Sequence, residues 1–199
     1  MDIGIATVNL TPDYPVIMDG FGARGDRPSE GAHNHLQGLC IAFDDGETRL
    51  AVMSLDLLAV DDYLMLPIRR KAQELGIHPH GMMVNTSHTH CSPNTTPCRS
   101  FMLDYTEEYL VECRQMLVDL LERAVADLKP ATLDYTVSSS TMGMNRRRAG
   151  ESGLLPNPDK QIDRDVPVLR VLSPEGEMRA LLFSYACHPS AISGFQLCT

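Results

Sequence analysis

Apolar and polar positions along the chain fall into patterns that predict strands interleaved with two helices. Short runs rich in β-branched and apolar residues, each bounded by turn-forming residues, predict strands. These runs are 4–8, 36–43, 49–58, 81–87, 132–141, 165–172 and 178–185. The polar turn at 44–47 joins the second and third runs, which predicts a hairpin.

Two longer segments carry apolar residues at the helical spacing. In the first, Asp61 and Asp62 precede apolar positions at 64, 68, 72 and 75, and Gly76 predicts the end of the helix. The second segment, 106–128, has one apolar face and one acidic face, and Pro130 closes it. Two segments without periodicity, 19–35 and 145–163, predict long loops, which in compact domains are often functional.

This alternation of strands and helices predicts an α/β fold, with α+β as the alternative. We expect a mixed β-sheet with flanking helices, arranged in layers as a single domain over residues 1–199. The length of 199 residues fits one domain of roughly 100–200 residues.

Charge and hydropathy exclude some classes of partner. The chain has 17 Lys and Arg against 26 Asp and Glu, and the net charge of −9 disfavours nucleic acids. No apolar run reaches the roughly 18 residues of a membrane span, so no transmembrane segment is expected. The start lacks a signal peptide, which predicts a cytoplasmic protein, or a secreted or periplasmic one if the N-terminus is incomplete. The oligomeric state stays open.

The cysteines argue against a zinc ribbon and against a disulfide scaffold. All six occur without a CxxC pair, in a chain well above the size of disulfide-stabilised miniproteins. Reduced thiols are therefore expected.

The motif His88-Thr89-His90 is the sharpest chemical signal. It follows a predicted buried strand, and in extended backbone the side chains at i and i+2 project to the same face, about 7 Å apart. Both imidazoles can then converge on one ion or substrate group beyond the end of a strand, where ligands gather in α/β sheets. The alternative is a pair of loop histidines on a polar surface.

A second histidine, His188, leaves the last apolar run in the sequence Cys187-His188-Pro189. Alone it is compatible with a structural histidine. Together with His88 and His90 it places three histidines at two strand ends, a set that suits Zn²⁺, which needs three or four ligands.

Two further features can carry chemistry. Asp56 is a carboxylate within an apolar run, so it is expected either to accept a hydrogen bond from a ligand histidine or to pair with an arginine. Arg146, Arg147 and Arg148 form a basic cluster in an acidic chain, and arginine binds carboxylates or phosphates in a forked pair. Ordinary surface charges of a solvated loop are the alternative.

Seven short segments, in order, resemble the N-terminal part of the neutral/alkaline non-lysosomal ceramidase family. They are IATVNLTP (5–12), MDGFGAR (18–24), VMSLDLL (52–58), TSHTH (86–90) followed by Pro93, NR (145–146), DVPVLR (165–170) and ACHP (186–189). The resemblance implies a zinc-dependent amidase that cleaves the N-acyl bond of ceramide-like lipids into a sphingoid base and a fatty acid.

The resemblance also implies roles for individual residues. His88 and His188 would bind Zn²⁺, His90 would line the active site, and Arg146 or Arg147 would be the active-site arginine. Asp56 would lie beneath the metal.

The chain departs from the family pattern in two respects. Cys91 and Ser92 follow His90 where the family usually has Ser-Gly. The family's remaining zinc ligands, a Glu and a Tyr, and its serine segment lie beyond residue 199, so we expect a fragment of a longer catalytic domain. The alternatives are a truncated, non-catalytic relative that binds metal or lipid, and a hydrolase of a non-lipid amide or ester on the same scaffold.

Overall fold

The computed structural model describes residues 1–97, 104–148, 150 and 152–198. The contacts divide the chain into two compact units, Met1–Pro130 with Pro189–Thr199, and Ala131–His188. The α-helices and strands, in chain order, are β1 (Asp2–Asn9), β2 (Gly31–Ala32), β3 (Gln37–Asp44), β4 (Arg49–Leu55), α1 (Asp62–Glu74), β5 (Met82–Thr86), α2 (Glu107–Ala126), β6 (Lys129–Pro130), β7 (Thr132–Ser139), β8 (Asp165–Leu172), β9 (Met178–Phe183) and β10 (Gln196–Leu197), and a short 3-10 helix covers Gly22–Arg24.

The first unit is built on a five-stranded sheet with the strand order β5-β4-β3-β1-β6. β1 pairs antiparallel with β3 from Asp2↔Asp44 to Asn9↔Gln37, and β3 pairs antiparallel with β4. β5 runs parallel to β4, because α1 returns the chain between the two strands. The mixed sheet with helices confirms the predicted fold class.

α2 provides most of the apolar layer that covers this sheet. A Cβ at Gly4 of β1 would lie 1.9 Å from the carbonyl oxygen of Ala124, so only glycine allows the strand to approach the helix this closely. α1 packs against α2. The buried residues of α2 follow the predicted period: Tyr109, Leu110, Cys113, Leu117, Leu120, Leu121 and Ala124.

α1 begins and ends at its predicted signals. The Asp61 carboxylate accepts a hydrogen bond from the N–H of Tyr63 at 2.9 Å, and Gly76 follows the helix with a φ of 73°. Pro67 lies inside the helix. Within the described residues, neither helix combines the length and the apolar character required to cross a bilayer.

The second unit is a three-stranded antiparallel sheet in the order β7-β8-β9. Tyr135 of β7 pairs with Leu169 of β8, which in turn pairs with Leu182 of β9. The register between β8 and β9 slips at Val171 and Leu172, beside the turn that joins the two strands. The polar loop 140–164 connects β7 to β8.

Three strands end two or more residues earlier than their apolar runs predict. β4 ends at Leu55 rather than at residue 58, β7 at Ser139 rather than 141, and β9 at Phe183 rather than 185. Leu55 pairs with Thr86, the last residue of β5, and Ser139 pairs with Asp165, the first residue of β8, so each ladder stops where its partner strand ends. Hydrophobic patterning continues past that point because residues such as Leu57 remain buried in the following loop.

The pairing of β2 with β10 was not predicted. These strands of two residues pair parallel, Gln196↔Gly31 and Leu197↔Ala32, and β2 lies in a segment expected to be all loop. Two residues are too few to show a period-2 pattern, so the pairing leaves no sequence signal.

The described cysteines are free thiols. Burial raises the pKa of the Cys40 and Cys113 thiols to about 12, which keeps both protonated and unreactive at neutral pH. The prediction for Cys98 lies outside the described residues.

Candidate functional site

The histidine pair follows the carboxyl end of β5, at the position that the sequence predicts. The backbone N–H groups of Ser87 and His88 donate to the carbonyls of Leu55 and Leu57 at 2.9 and 3.1 Å. The chain therefore keeps following β4 and its continuation after β5 has ended. Thr89, between the histidines, is buried, and its hydroxyl donates a hydrogen bond to the Cys198 carbonyl at 2.7 Å. The residue between the two histidines is therefore held within the first unit.

His88 has an unusual backbone conformation. Its φ is 60°, and no other non-glycine residue in the described ranges has a positive φ. The left-handed region costs a residue with a Cβ about 1–2 kcal/mol, and such strain persists only where the surrounding structure enforces it. Strained residues cluster at functional sites, so this outlier marks His88 as a candidate.

The rings of His88 and His90 meet edge to face. Their centroids are 5.1 Å apart and the interplanar angle is 85°. The spacing i, i+2 predicts this proximity from extended backbone, whereas the molecule reaches it with a left-handed residue at the first histidine. The proximity of the two rings was therefore predicted, but the left-handed backbone that produces it was not.

A hydrogen bond fixes the His88 imidazole. Its Nδ1 lies 2.8 Å from the carbonyl oxygen of Leu58. A carbonyl only accepts, so Nδ1 carries a proton and donates it to this hydrogen bond. Metal-binding histidines are typically held in this way, with one ring N–H donated to a carbonyl and the other nitrogen left for the ion. The donor chemistry of His88 therefore fits a metal ligand.

His90 is half-buried and is surrounded by residues that the sequence analysis did not single out. The Phe21 ring meets the imidazole edge on, with centroids 4.9 Å apart. Arg24 donates to the His90 carbonyl at 3.0 Å. Both residues lie in segment 18–24, one of the segments that carry the family resemblance. The resemblance therefore pointed to this segment but assigned no role to Phe21 or Arg24.

Asp56 occupies a different environment from the one predicted. It follows β4 instead of lying within it, and it is only half-buried. Its carboxylate accepts a hydrogen bond from the N–H of Gln37 at 2.9 Å, and its own N–H donates to the Gln37 carbonyl at 2.9 Å. These contacts end the β3–β4 ladder and account for the carboxylate structurally.

The remaining candidates belong to the second unit. His188 is its last residue and is exposed, five positions after the end of β9, so it does not leave a buried strand as expected. Arg146 is half-buried and Arg147 exposed, both in the loop 140–164. The Arg147 N–H donates to the Asn145 side chain at 2.9 Å, and the Arg147 carbonyl accepts from the Asn157 side chain at 2.5 Å.

Among the described residues, His88 and His90 form a group of the first unit in which each histidine could offer one ring nitrogen to a metal ion. The acidic residue Asp56 is not a member of this group. The convergence of His188 with the histidines of the first unit stays a prediction, as do the roles of Arg146 and Arg147.

The fold is similar to part of two solved ceramidase structures. Neutral ceramidase from Pseudomonas aeruginosa superposes with a TM-score of 0.80 at 19% identity, covering 99% of this chain and 34% of that one. A ceramidase complexed with C2 superposes with a TM-score of 0.80 at 18% identity, covering 99% of this chain and 33% of that one.

This likeness shows the fold, and the chain spans about a third of the length of the two solved ceramidases. No protein-family model and no curated protein matches the sequence. The family resemblance seen in the sequence motifs is therefore supported at the level of the fold.

Proposed function

We propose that this chain contributes to the active site of a zinc-dependent amidohydrolase that cleaves the N-acyl bond of ceramide-like lipids. The observation that carries the proposal is His88, a strained residue whose Nδ1–H donates to the Leu58 carbonyl as metal-binding histidines typically do, on a backbone with the ceramidase fold. The substrate class is supported by the fold likeness and by the sequence motifs.

His88 and His188 are assigned as zinc ligands, and His90 as the neighbouring residue that contacts the reacting group. Imidazole nitrogen is a favoured ligand for Zn²⁺. A zinc ion bound there would polarise the amide carbonyl and lower the pKa of a bound water toward 7. The tetrahedral preference of zinc requires more than two protein ligands, so these two histidines supply part of the set.

The other residues would bind and orient the substrate. His90, half-buried beside His88, can hold or move a proton at the amide oxygen or nitrogen as its bond is cleaved. Arg146 or Arg147 would stabilise negative charge developing on the substrate, through the forked donors of the guanidinium group. Asp56 would act indirectly, by fixing the backbone that leads to Leu58, whose carbonyl orients His88.

Zinc titration of matched histidine variants tests the assignment. His88→Ala and His188→Ala in the 199-residue chain are compared with His78→Ala, an exposed histidine in the first unit outside the candidate group. We expect weak zinc binding in the parent chain, loss of that binding in the first two variants, and no change in His78→Ala. Calorimetry or competition with a chromophoric chelator gives the affinity.

Hydrolysis is then measured with the full-length product of the gene. N-acylsphingosine is compared with a short-chain, water-soluble N-acyl amide, and release of the free amine is followed. Zinc-dependent cleavage favouring the lipid supports the proposal, and a preference for the soluble amide would indicate a non-lipid amidase. Zinc affinity unchanged by His88→Ala would contradict the assignment, and zinc binding without any hydrolysis would favour a non-catalytic metal-binding protein.

A further inference from the structure

The loop that leads from β1 to β2 closes around His90. We call Gly20, Phe21 and Arg24 of this loop the His90 cradle. All three residues belong to the first unit, as does His90, and each of them contacts a different part of that histidine.

Gly20 lies against the backbone and the base of the His90 side chain. A Cβ at Gly20 would stand 2.5 Å from the His90 Cα, 2.7 Å from its Cβ and 2.8 Å from its Cγ. Gly20 also has a φ of 105°, which residues with side chains rarely adopt. Glycine therefore lets the loop approach His90 more closely than any other residue would.

Phe21 restricts the imidazole itself. The Phe21 ring packs against the His90 imidazole at an interplanar angle of 62°, and the His88 ring packs against the same imidazole at 85°. Edge-to-face contacts of this kind are favourable arrangements of aromatic rings. Two such contacts on one imidazole limit the orientations that it can take.

Arg24 fixes the backbone of the same residue. Its guanidinium donates from Nη2 to the His90 carbonyl at 3.0 Å, from Nη1 to the Asp19 carbonyl at 2.8 Å, and from Nε to the Gly194 carbonyl at 2.8 Å. Gly194 lies in the segment that directly follows His188 in the chain. The planar guanidinium of Arg24 thus connects the His90 backbone to the loop that contains Asp19 and to the segment that contains Gly194. A lysine ammonium on a flexible stem cannot reproduce this set of hydrogen bonds.

We infer that Phe21 and Arg24 are positioning residues for His90: Phe21 orients the imidazole and Arg24 holds the main chain that carries it. The inference rests on the proposed function for what His90 does in the reaction. What holds His90 is argued from contacts within the first unit. A misplacement of a reacting group by about 1 Å can cost about 10²-fold in rate, so small shifts of this cradle would matter.

The test compares Phe21→Leu and Arg24→Ala with a matched control, Arg123→Ala. Arg123 also donates from its guanidinium to a main-chain carbonyl of the first unit, that of Thr7 at 2.7 Å. The first measurement is the NMR spectrum of the imidazole groups in the 199-residue chain, with the His90 signals assigned by their loss in His90→Gln. The second is kcat and KM of the full-length gene product.

We expect Phe21→Leu and Arg24→Ala to shift the His90 ring signals and to leave those of His78 and His80 in place. Arg123→Ala should leave all of these signals in place. In the enzyme assay kcat should fall by about 10²-fold at unchanged KM, because positioning affects the transition state more than ground-state binding. Arg24→Lys should recover only part of the loss, since it keeps the charge without the fork.

Unshifted His90 signals in a folded Phe21→Leu protein would overturn the inference, and so would an equal shift in Arg123→Ala. If Arg24→Ala loses its far-UV circular dichroism, Phe21→Leu decides alone. Shifted His90 signals in a protein without hydrolytic activity would leave the cradle in place and reject the proposed function, so the two failures are distinguishable.

Discussion

The two units hold their candidate residues in different ways. In the first, the main chain around the histidines is tied to its neighbours: His88 is strained and hydrogen-bonded to Leu58, and Arg24 holds the His90 carbonyl. In the second, Arg147 and His188 are exposed and lie in segments outside the regular strands. The first unit therefore holds its candidate residues in a preorganised arrangement.

The first unit is also packed more tightly than the second. The core of the first unit consists of fully buried side chains contributed by the sheet and both helices, such as Met53, Ile68 and Leu120. In the second unit, large apolar side chains remain exposed on the strands: Tyr135 is 64% and Phe183 63% accessible. Candidate residues that a packed core supports are expected to keep their geometry when a single contact is lost. Candidate residues in a unit with an exposed sheet are not expected to do so.

Replacement of His90 should produce the largest effect on the reaction. We expect His90→Ala to lower kcat of the full-length gene product by about 10²–10⁴-fold while zinc content stays nearly intact, because His90 is assigned to the reacting group and not to the metal. Metal analysis beside steady-state kinetics measures both quantities.

The same experiment carries the comparison to the second unit. Arg146→Ala and Arg147→Ala are measured in parallel, with Arg148→Ala as the control from the same cluster. Loss of zinc in His90→Ala to the extent seen in His88→Ala would make His90 a ligand. Full activity in His90→Ala would return it to a structural role and remove the functional difference between the units.

Core substitutions should separate the two units in stability. Leu120 of α2 is fully buried, and its replacement by alanine is expected to cost about 2–5 kcal/mol. Leu181 of β9 is 44% accessible, so Leu181→Ala is expected to cost less than about 1 kcal/mol.

Urea unfolding monitored at 222 nm measures this difference. Both α-helices of the described residues lie in the first unit, so the helical signal reports on that unit. Leu120→Ala should lower the urea midpoint of this signal, whereas Leu181→Ala should leave it nearly unchanged. Equal shifts for the two variants would contradict the comparison.

The sequence predicted the elements better than their ends, for physical reasons that individual residues illustrate. Periodicity identifies the buried face of α2, and capping chemistry locates α1 between Asp61 and Gly76. Strand ends depend on where a partner strand stops, as at Leu55, and this information is not local to the run.

The candidate site shows the same limit. The HxH spacing predicted that His88 and His90 lie close together. The left-handed φ of His88, however, follows from tertiary contacts that no local pattern encodes. The residues around His90 were missed because Phe21 and Arg24 are distant from it in sequence and belong to a loop without periodicity. Long-range contacts therefore account for most of what the sequence did not predict.

The turns of the two sheets should respond differently to acid. In the β3–β4 hairpin, the Asp44 carboxylate accepts from the N–H of Gly46 at 2.9 Å and from Arg49 at 2.9 and 2.7 Å. The backbone hydrogen bond, followed by Arg49, lowers the pKa of Asp44. In the β8–β9 turn, the uncharged Ser173 hydroxyl accepts from the N–H of Glu175 at 3.2 Å.

The sign of the pH dependence follows from the lowered pKa. The unfolded chain binds the Asp44 proton more readily, so this stabilisation is complete above the unfolded pKa of about 3.9 and is lost as the pH falls through the folded pKa. Asp44→Asn should therefore reduce the Tm at neutral pH, with a difference from the parent that shrinks below about pH 4. Ser173→Ala should shift the Tm by an amount independent of pH, because no charge is removed. Thermal unfolding between pH 2 and pH 7 measures both, and a constant offset for Asp44→Asn would show that its charge does not stabilise the hairpin.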